Sequence, residues 1–168
     1  MIPTLTTERL TLRPYERSDW NGYRAFTETE RTKFMGGPID SEKAWGWFTN
    51  DIASWALYGF GTLAIDLEGT MVGFAGIVHP PSFPEAENGW ALFEGYEGQG
   101  YATEAAAAML DFAFSSTDLT TVVSYVDKNN FASQAVAKRL GGTLDPNAPT
   151  PWEDGTDHVY RYSKGAVQ

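Results

Sequence analysis

The amino-acid sequence predicts an α+β chain, a mixed layer fold of strands and helices around one sheet. Two observations carry that reading. Apolar runs of strand length and segments of helical apolar spacing follow one another in the order β-α-α-β-β-β-α-β-α-β, without repeats or a low-complexity linker. Past mid-chain, the strand-like run Trp90-Ala-Leu-Phe-Glu94 passes through a glycine-spaced turn into an alanine-rich helix.

Taken in order, Arg9-Leu-Thr-Leu-Arg-Pro14 alternates apolar and polar residues as a half-buried strand does, and Ser18-Asp19 opens a first helix. A second helix starts at Asp40-Ser41, runs through Trp45, Trp47, Phe48, Ile52 and Trp55, and breaks at Gly59. Residues 61–66 and 71–78 flank Leu67-Glu-Gly-Thr70 and read as a β-hairpin. Pro80-Pro-Ser-Phe-Pro84 is a loop, residues 87–93 form a further strand, and Thr121-Val-Val-Ser-Tyr-Val126 is a buried one. Residues 130–140 form a helix stopped by Gly141-Gly142, and His158-Val-Tyr-Arg-Tyr162 alternates as a last strand.

Composition narrows the function. The 168 residues fit a single domain, 1–168, that buries roughly 68–70% of its unfolded surface and so can hold a cleft. With no cysteine, a thiolate metal site, a disulfide and an acyl-cysteine intermediate are all excluded, so group transfer must be direct or use another nucleophile. A net charge of −10 argues against nucleic acid as partner and suits a cationic one, although solubility alone accounts for such a balance. The N-terminus lacks the basic and apolar regions of a signal peptide and no apolar run reaches membrane-spanning length, so no membrane partner and a cytoplasmic location are expected.

The turn after residue 94 has the design of a phosphate cradle. Gly98 and Gly100 have no Cβ to hold an anion off, and the first N–H groups of the following helix lack intrahelical partners. A nucleotide P-loop would need a lysine and a hydroxyl that residues 95–103 do not supply as G-K-[ST]. A dinucleotide fingerprint would need three glycines in an N-terminal β-α-β unit. ATP and NAD therefore fit poorly.

Four segments together resemble the GNAT superfamily of acyl-CoA N-acetyltransferases, in particular its RimJ/RimL-like branch. Thr7-Glu-Arg-Leu-Thr-Leu-Arg-Pro14 resembles its first strand and Glu87-Asn-Gly-Trp-Ala-Leu92 its fourth. Gly98-Gln-Gly-Tyr-Ala-Thr-Glu-Ala105 is similar to its pyrophosphate loop and helix, and Asn130-Phe-Ala-Ser133 to its Asn-x-x-Ser motif. The likeness spans nearly the whole chain and implies a mixed, mostly antiparallel sheet of about six to seven strands flanked by about four helices. It also implies acetyl-CoA as cosubstrate, no metal, and an amine substrate that is either a small molecule or a peptide; a homodimer is compatible with it.

The resemblance assigns roles. Amides of Gly98, Gln99, Gly100, Ala102 and Thr103 would hold the CoA pyrophosphate, and the Trp90-Ala91-Leu92 edge would pair with the pantetheine arm as if with an added strand. Asn130 would reach the pantetheine amides and Phe131 would pack beside the cofactor; Asn is also a common helix cap. For catalysis, Glu87 would draw the amine proton through water, or else is an exposed strand residue, with His79 or Glu85 as substitutes, and an N–H near Leu92 would hold the oxyanion. The tyrosine acid used by many members, seven positions after the asparagine, is here Ala137; Ser133 is the candidate in its place, or else a hydroxyl satisfied within its own turn. Trp45, Trp47, Phe48, Trp55 and Tyr58 either line the acceptor pocket or form core, with residues 35–38, 80–84 and 149–153 around the cleft. The loop's first position, arginine or glutamine in the family, is Glu97, whose carboxylate would cost on the order of 1 kcal/mol at about 4 Å from a phosphate. The expected activity is acetyl transfer to a primary amine; a noncatalytic acyl-CoA-binding or regulatory module is the alternative.

Overall fold

The computed structural model describes residues 1–152 and 154–165. Its strands are β1 (Leu5–Thr6), β2 (Thr11–Arg13), β3 (Thr62–Leu67), β4 (Thr70–Val78), β5 (Glu87–Leu92), β6 (Thr121–Asp127), β7 (Thr143–Leu144) and β8 (Asp157–Ser163). The helices are α1 (Trp20–Thr27), α2 (Ser41–Tyr58), α3 (Tyr101–Ser116) and α4 (Phe131–Arg139), with short 3-10 segments at Arg17–Asp19 and Glu30–Met35. All strands join one sheet in the order β1-β2-β3-β4-β5-β6-β8-β7, antiparallel throughout except for the β5–β6 pair. The eight strands exceed the six to seven expected because β1 and β7 are two residues each, too short to leave a period in the sequence.

Local chemistry sets the element ends. The Asp40 carboxylate accepts the Lys43 N–H at 2.8 Å to start α2, and Gly59 closes it at φ +75°. The β3–β4 hairpin turns on Glu68 and Gly69, both at positive φ, the geometry of a two-residue turn that matches strand twist. The first helix begins as the 3-10 turn Arg17–Asp19 and becomes α-helical at Trp20.

Packing places helices on both faces of the sheet. Ala105, Ala106, Met109, Leu110 and Ala113 of α3 are buried against Leu63, Ile65, Val72 and Ile77. On the opposite face Tyr23, Phe26 and Phe48 of α1 and α2 cover Phe74 and Ala91, which sit directly across from each other on β4 and β5. At Gly73 a Cβ would lie 2.2 Å from the Ala91 carbonyl oxygen, so the β4–β5 ladder closes only because that residue has none.

The other side of β5 is different. It meets β6 in a parallel bridge at Glu87–Val123, supported by the Val123 N–H to Ala86 carbonyl bond of 2.9 Å. One step on, the Ser124 hydroxyl reaches the Asn88 carbonyl at 2.6 Å in place of a backbone donor, and the strands part. By the pleat, the polar groups of Trp90 and Leu92 face this opening.

Candidate active site

The opening between β5 and β6 ends at the glycine loop. Gly98 and Gly100 adopt φ +75° and +86°, and Gly100 caps α3 with no side chain accepting its first N–H groups. A Cβ at Gly98 would meet nothing within 4 Å, so this surface is open to a ligand. The amides of Gly98, Gln99, Gly100, Ala102 and Thr103 thus belong to one left-handed turn and the first turn of the helix behind it. That arrangement fits the pyrophosphate of an acyl-CoA.

Residues far away in sequence hold the loop. The Arg9 guanidinium donates to the Gln99 carbonyl at 2.9 Å and to Glu104 at 2.7 Å, and lies 4.7 Å over the Tyr101 ring. Glu104 also accepts from the Thr7 hydroxyl at 2.6 Å. Burial alone would raise the Glu104 carboxyl; the Thr7 and Arg9 donors outweigh it and hold it below the usual range. Sequence reasoning used Arg9 and Thr7 only as strand residues. The available signal was Glu104 itself, a carboxylate in the first turn of a helix.

Glu97 is held beside the cradle by partners of its own. Its carboxylate is bonded by the Arg31 guanidinium and by the Gly95 N–H at 2.7 Å. Its own backbone N–H, Arg31 and Gly95 keep the acid below its ordinary value. Arg31, from the 3-10 segment after α1, also donates to the Leu92 carbonyl at 2.9 and 3.3 Å. On the same strand Ala91 is buried beneath α1 and α2, while Trp90 and Leu92 are half-buried and pack against the α3 side.

At the α4 side, the Asn130 side chain accepts the Ser133 N–H at 3.1 Å, so it caps the helix. Phe131 is 74% exposed and Ser133 half-buried. Gln134 ties α4 to β6 by donating to the Lys128 carbonyl at 2.8 Å.

Glu87 stands where the strands part. Its carboxylate accepts the Tyr125 N–H at 3.3 Å, and burial pushes its pKa up to about 8 against that bond. Asp157, raised to about 6 by burial and by Asp127, adds a like charge. Phe83, Tyr125 and Trp152 meet edge to face, with centroids 5.5, 5.8 and 6.5 Å apart, so the loop 80–84 and part of 149–153 do join this end; Glu153 lies outside the described residues. Glu85 is not available as a base: Arg161 binds it at 2.5 and 2.8 Å and lowers its pKa. His79 lies against Tyr58, ring centroids 6.4 Å apart.

The α2 aromatics divide. Phe48 and Trp55 are buried core, Trp55 donating its indole N–H to the Thr62 carbonyl at 3.0 Å, and so do not line a pocket. Trp47 is half-buried in the α1–α2 cluster, Trp45 lies edge-on to Trp20, and Tyr58 stacks on Phe60. Residues 35–38 form a mostly exposed turn at the end of the Glu30–Met35 segment. A separate cavity of about 370 Å³ opens beyond the Leu92 end of β5, between Arg13, Gly22, Met71 and Phe93. The Arg13 guanidinium there is bound by Asp19, Asp66 and the Pro14 carbonyl.

A mixed sheet parted at one parallel pair, with a glycine turn at the end of the gap, is the arrangement that the resemblance to acyl-CoA N-acyltransferases leads one to expect. A family model of the acetyltransferase (GNAT) domain matches residues 9–143, and the chain belongs to that family. It is similar to the acetyltransferase of Agrobacterium tumefaciens strain C58, with 52% identity, a TM-score of 0.92, and 96% and 95% of the two chains covered. The uncharacterised N-acetyltransferase YnaD of Bacillus subtilis (strain 168) is 29% identical over 140 residues, 82% of this chain and 81% of that protein. The RimL ribosomal L7/L12 α-N-protein acetyltransferase, solved with coenzyme A, shares the fold at a TM-score of 0.75 and 20% identity, over 98% and 99% of the chains. The protein is thus a GNAT N-acetyltransferase that uses acetyl-CoA and an amine. Among the described residues no helix is long and apolar enough to cross a membrane, and no acid or histidine cluster is arranged to hold a metal ion.

Proposed function

We propose that the chain transfers acetyl from acetyl-CoA directly to a primary α-amine, of a peptide N-terminus or a small molecule, in a ternary complex. Bound acetyl-CoA supplies an activated thioester carbonyl. Glu87 takes the amine proton through water, the Leu92 N–H holds the carbonyl oxygen, and the C–N bond forms as the C–S bond breaks. Ser133 protonates the departing thiolate and regains its proton from solvent. The loop amides at Gly98, Gln99, Gly100, Ala102 and Thr103 bind the pyrophosphate; Trp90, Ala91, Leu92, Asn130 and Phe131 flank the pantetheine arm.

The choice of amine is carried by the Glu87 carboxylate at the point where β5 and β6 part, whose burial there pushes its pKa up to about 8. An α-ammonium near 7.7–8.0 gives its proton to such a base at almost no cost, whereas a lysine near 10.4 is roughly 2.4 units uphill, about 3 kcal/mol. The acidic neighbours Asp127 and Asp157 also favour a cationic substrate at this end.

The test is CoA thiol release from acetyl-CoA with a panel of α-amines and of lysines blocked at the α-position. Faster release with α-amines supports the proposal. A preference for the lysine set overturns the amine class, and acetyl-CoA binding without release to any amine favours a noncatalytic module.

A further inference from the structure

We propose that Arg31 is a positioning residue for the cofactor, supplying the positive charge the glycine loop itself lacks by cancelling Glu97. The inference rests on acetyl-CoA being the ligand of the cradle. Within the loop's own sequence, residues 94–104, every charged side chain is acidic: Glu94, Glu97 and Glu104. Glu104 is answered by Arg9 and Glu97 by Arg31. The two arginines therefore enter from outside the loop, one from the chain before β2 and one from the segment after α1.

Arg31 does two things at once. Its guanidinium joins the Glu97 carboxylate and forks onto the Leu92 carbonyl, the group at the open edge nearest the loop. A planar five-donor fork can bridge a carboxylate and a carbonyl in this way; an ammonium carries the same charge without that geometry, so Arg31→Lys separates charge from bracing. The Arg31 and Glu97 side chains are 30% and 47% exposed, and exposed pairs contribute little to folding stability. The effect of the pair is therefore sought in the binding of an anion beside it rather than in stability. With Arg31 present the carboxylate is neutralised beside the cradle; without it an uncompensated negative charge stands near the anion site.

Charge bookkeeping gives an order of affinities that a purely mechanical brace would not. Arg31→Gln leaves the local charge at −1 relative to wild type and should weaken acetyl-CoA about tenfold. Glu97→Gln leaves it at +1 and should tighten binding about threefold, and the double substitution should return close to wild type. The spread between variants should shrink as salt is raised from low to about 0.5 M. In steady state the Arg31→Gln loss should fall on the KM for acetyl-CoA rather than on kcat.

The experiment is calorimetric titration of acetyl-CoA into wild type, Arg31→Gln, Glu97→Gln, the double variant and Arg31→Lys at two salt concentrations, with thermal melts as a check on folding. Rescue in the double variant and affinity within about threefold of wild type in Arg31→Lys support charge compensation. A double variant as weak as Arg31→Gln, or a single variant equal to wild type, overturns it. If Arg31→Gln fails to fold, an untightened Glu97→Gln or a tenfold loss in Arg31→Lys overturns it instead. Wild type that does not bind acetyl-CoA would overturn the cofactor reading, and this inference with it; binding by wild type separates the two failures.

Discussion

The two sides of β5 differ in kind. Toward β4, each residue from Glu87 to Leu92 has a partner in register, and Gly73 lets the backbones approach to a distance no side chain would allow. Toward β6, a single bridge at Glu87–Val123 is followed by a serine side chain in place of a ladder bond, and then by open polar backbone. One strand is thus fully paired on one side and left largely unpaired on the other. The contrast shows that the cleft is made by withholding pairing, while the ladder behind it supplies the rigidity.

The two functions can be broken separately. The largest effect is expected for Gly100→Glu, which puts a Cβ-bearing residue at φ +86° and a carboxylate in the cradle; acetyl-CoA affinity should fall at least about a hundredfold by calorimetry while the β4–β5 ladder is untouched. Glu87→Gln should lower kcat about a hundredfold with little change in acetyl-CoA affinity. In wild type, activity should climb with pH through about 8 as that carboxyl ionises, and the variant should lose this limb. The stability sign is the reverse. The folded pKa lies above the ordinary carboxyl value, so the stabilisation is present at acid pH and is lost as pH rises to about 8; Glu87→Gln should flatten that slope in chemical denaturation.

Attacking the paired side should do the opposite. Gly73→Ala forces a Cβ onto the Ala91 carbonyl and should cost about 1–3 kcal/mol in denaturant unfolding, with activity falling only as the fold does. The smallest effect, about tenfold in kcat with unchanged acetyl-CoA affinity, is expected for Ser133→Ala. An unchanged rate would remove Ser133 from the reaction and leave it as a helix residue.

Much of the fold could be read before it was seen, for reasons that are local. Asp40 and Gly59 bound α2 to the residue because capping is decided by atoms within one turn, and Glu68-Gly69 turn the hairpin for the same reason. The glycine turn that opens α3 was legible likewise, since the spacing of Gly98 and Gly100 marks it locally. The pairing of Arg31 with Glu97 was not: the two are 66 positions apart, and nothing in either neighbourhood marks the partner. The raised pKa of Glu87 depends on burial, and the Phe83–Tyr125–Trp152 contact on three separate segments meeting. Phe48 and Trp55 share a helix with the more exposed Trp45 and Tyr58, and only the packing of α2 against the sheet tells core from surface.

The main-chain character of the cradle has a consequence for how such an enzyme changes over generations. In the proposed binding mode, grip on the cosubstrate comes from peptide groups, which every residue carries, so side chains other than those that hold the loop or balance its charge can drift without loosening it. The aromatic trio at the other end is written wholly in side chains. Randomising Phe83, Tyr125 and Trp152 in a laboratory library should therefore yield new acceptor preferences on an unaltered acetyl-CoA platform, making this end of the molecule the natural place for specificity to diverge.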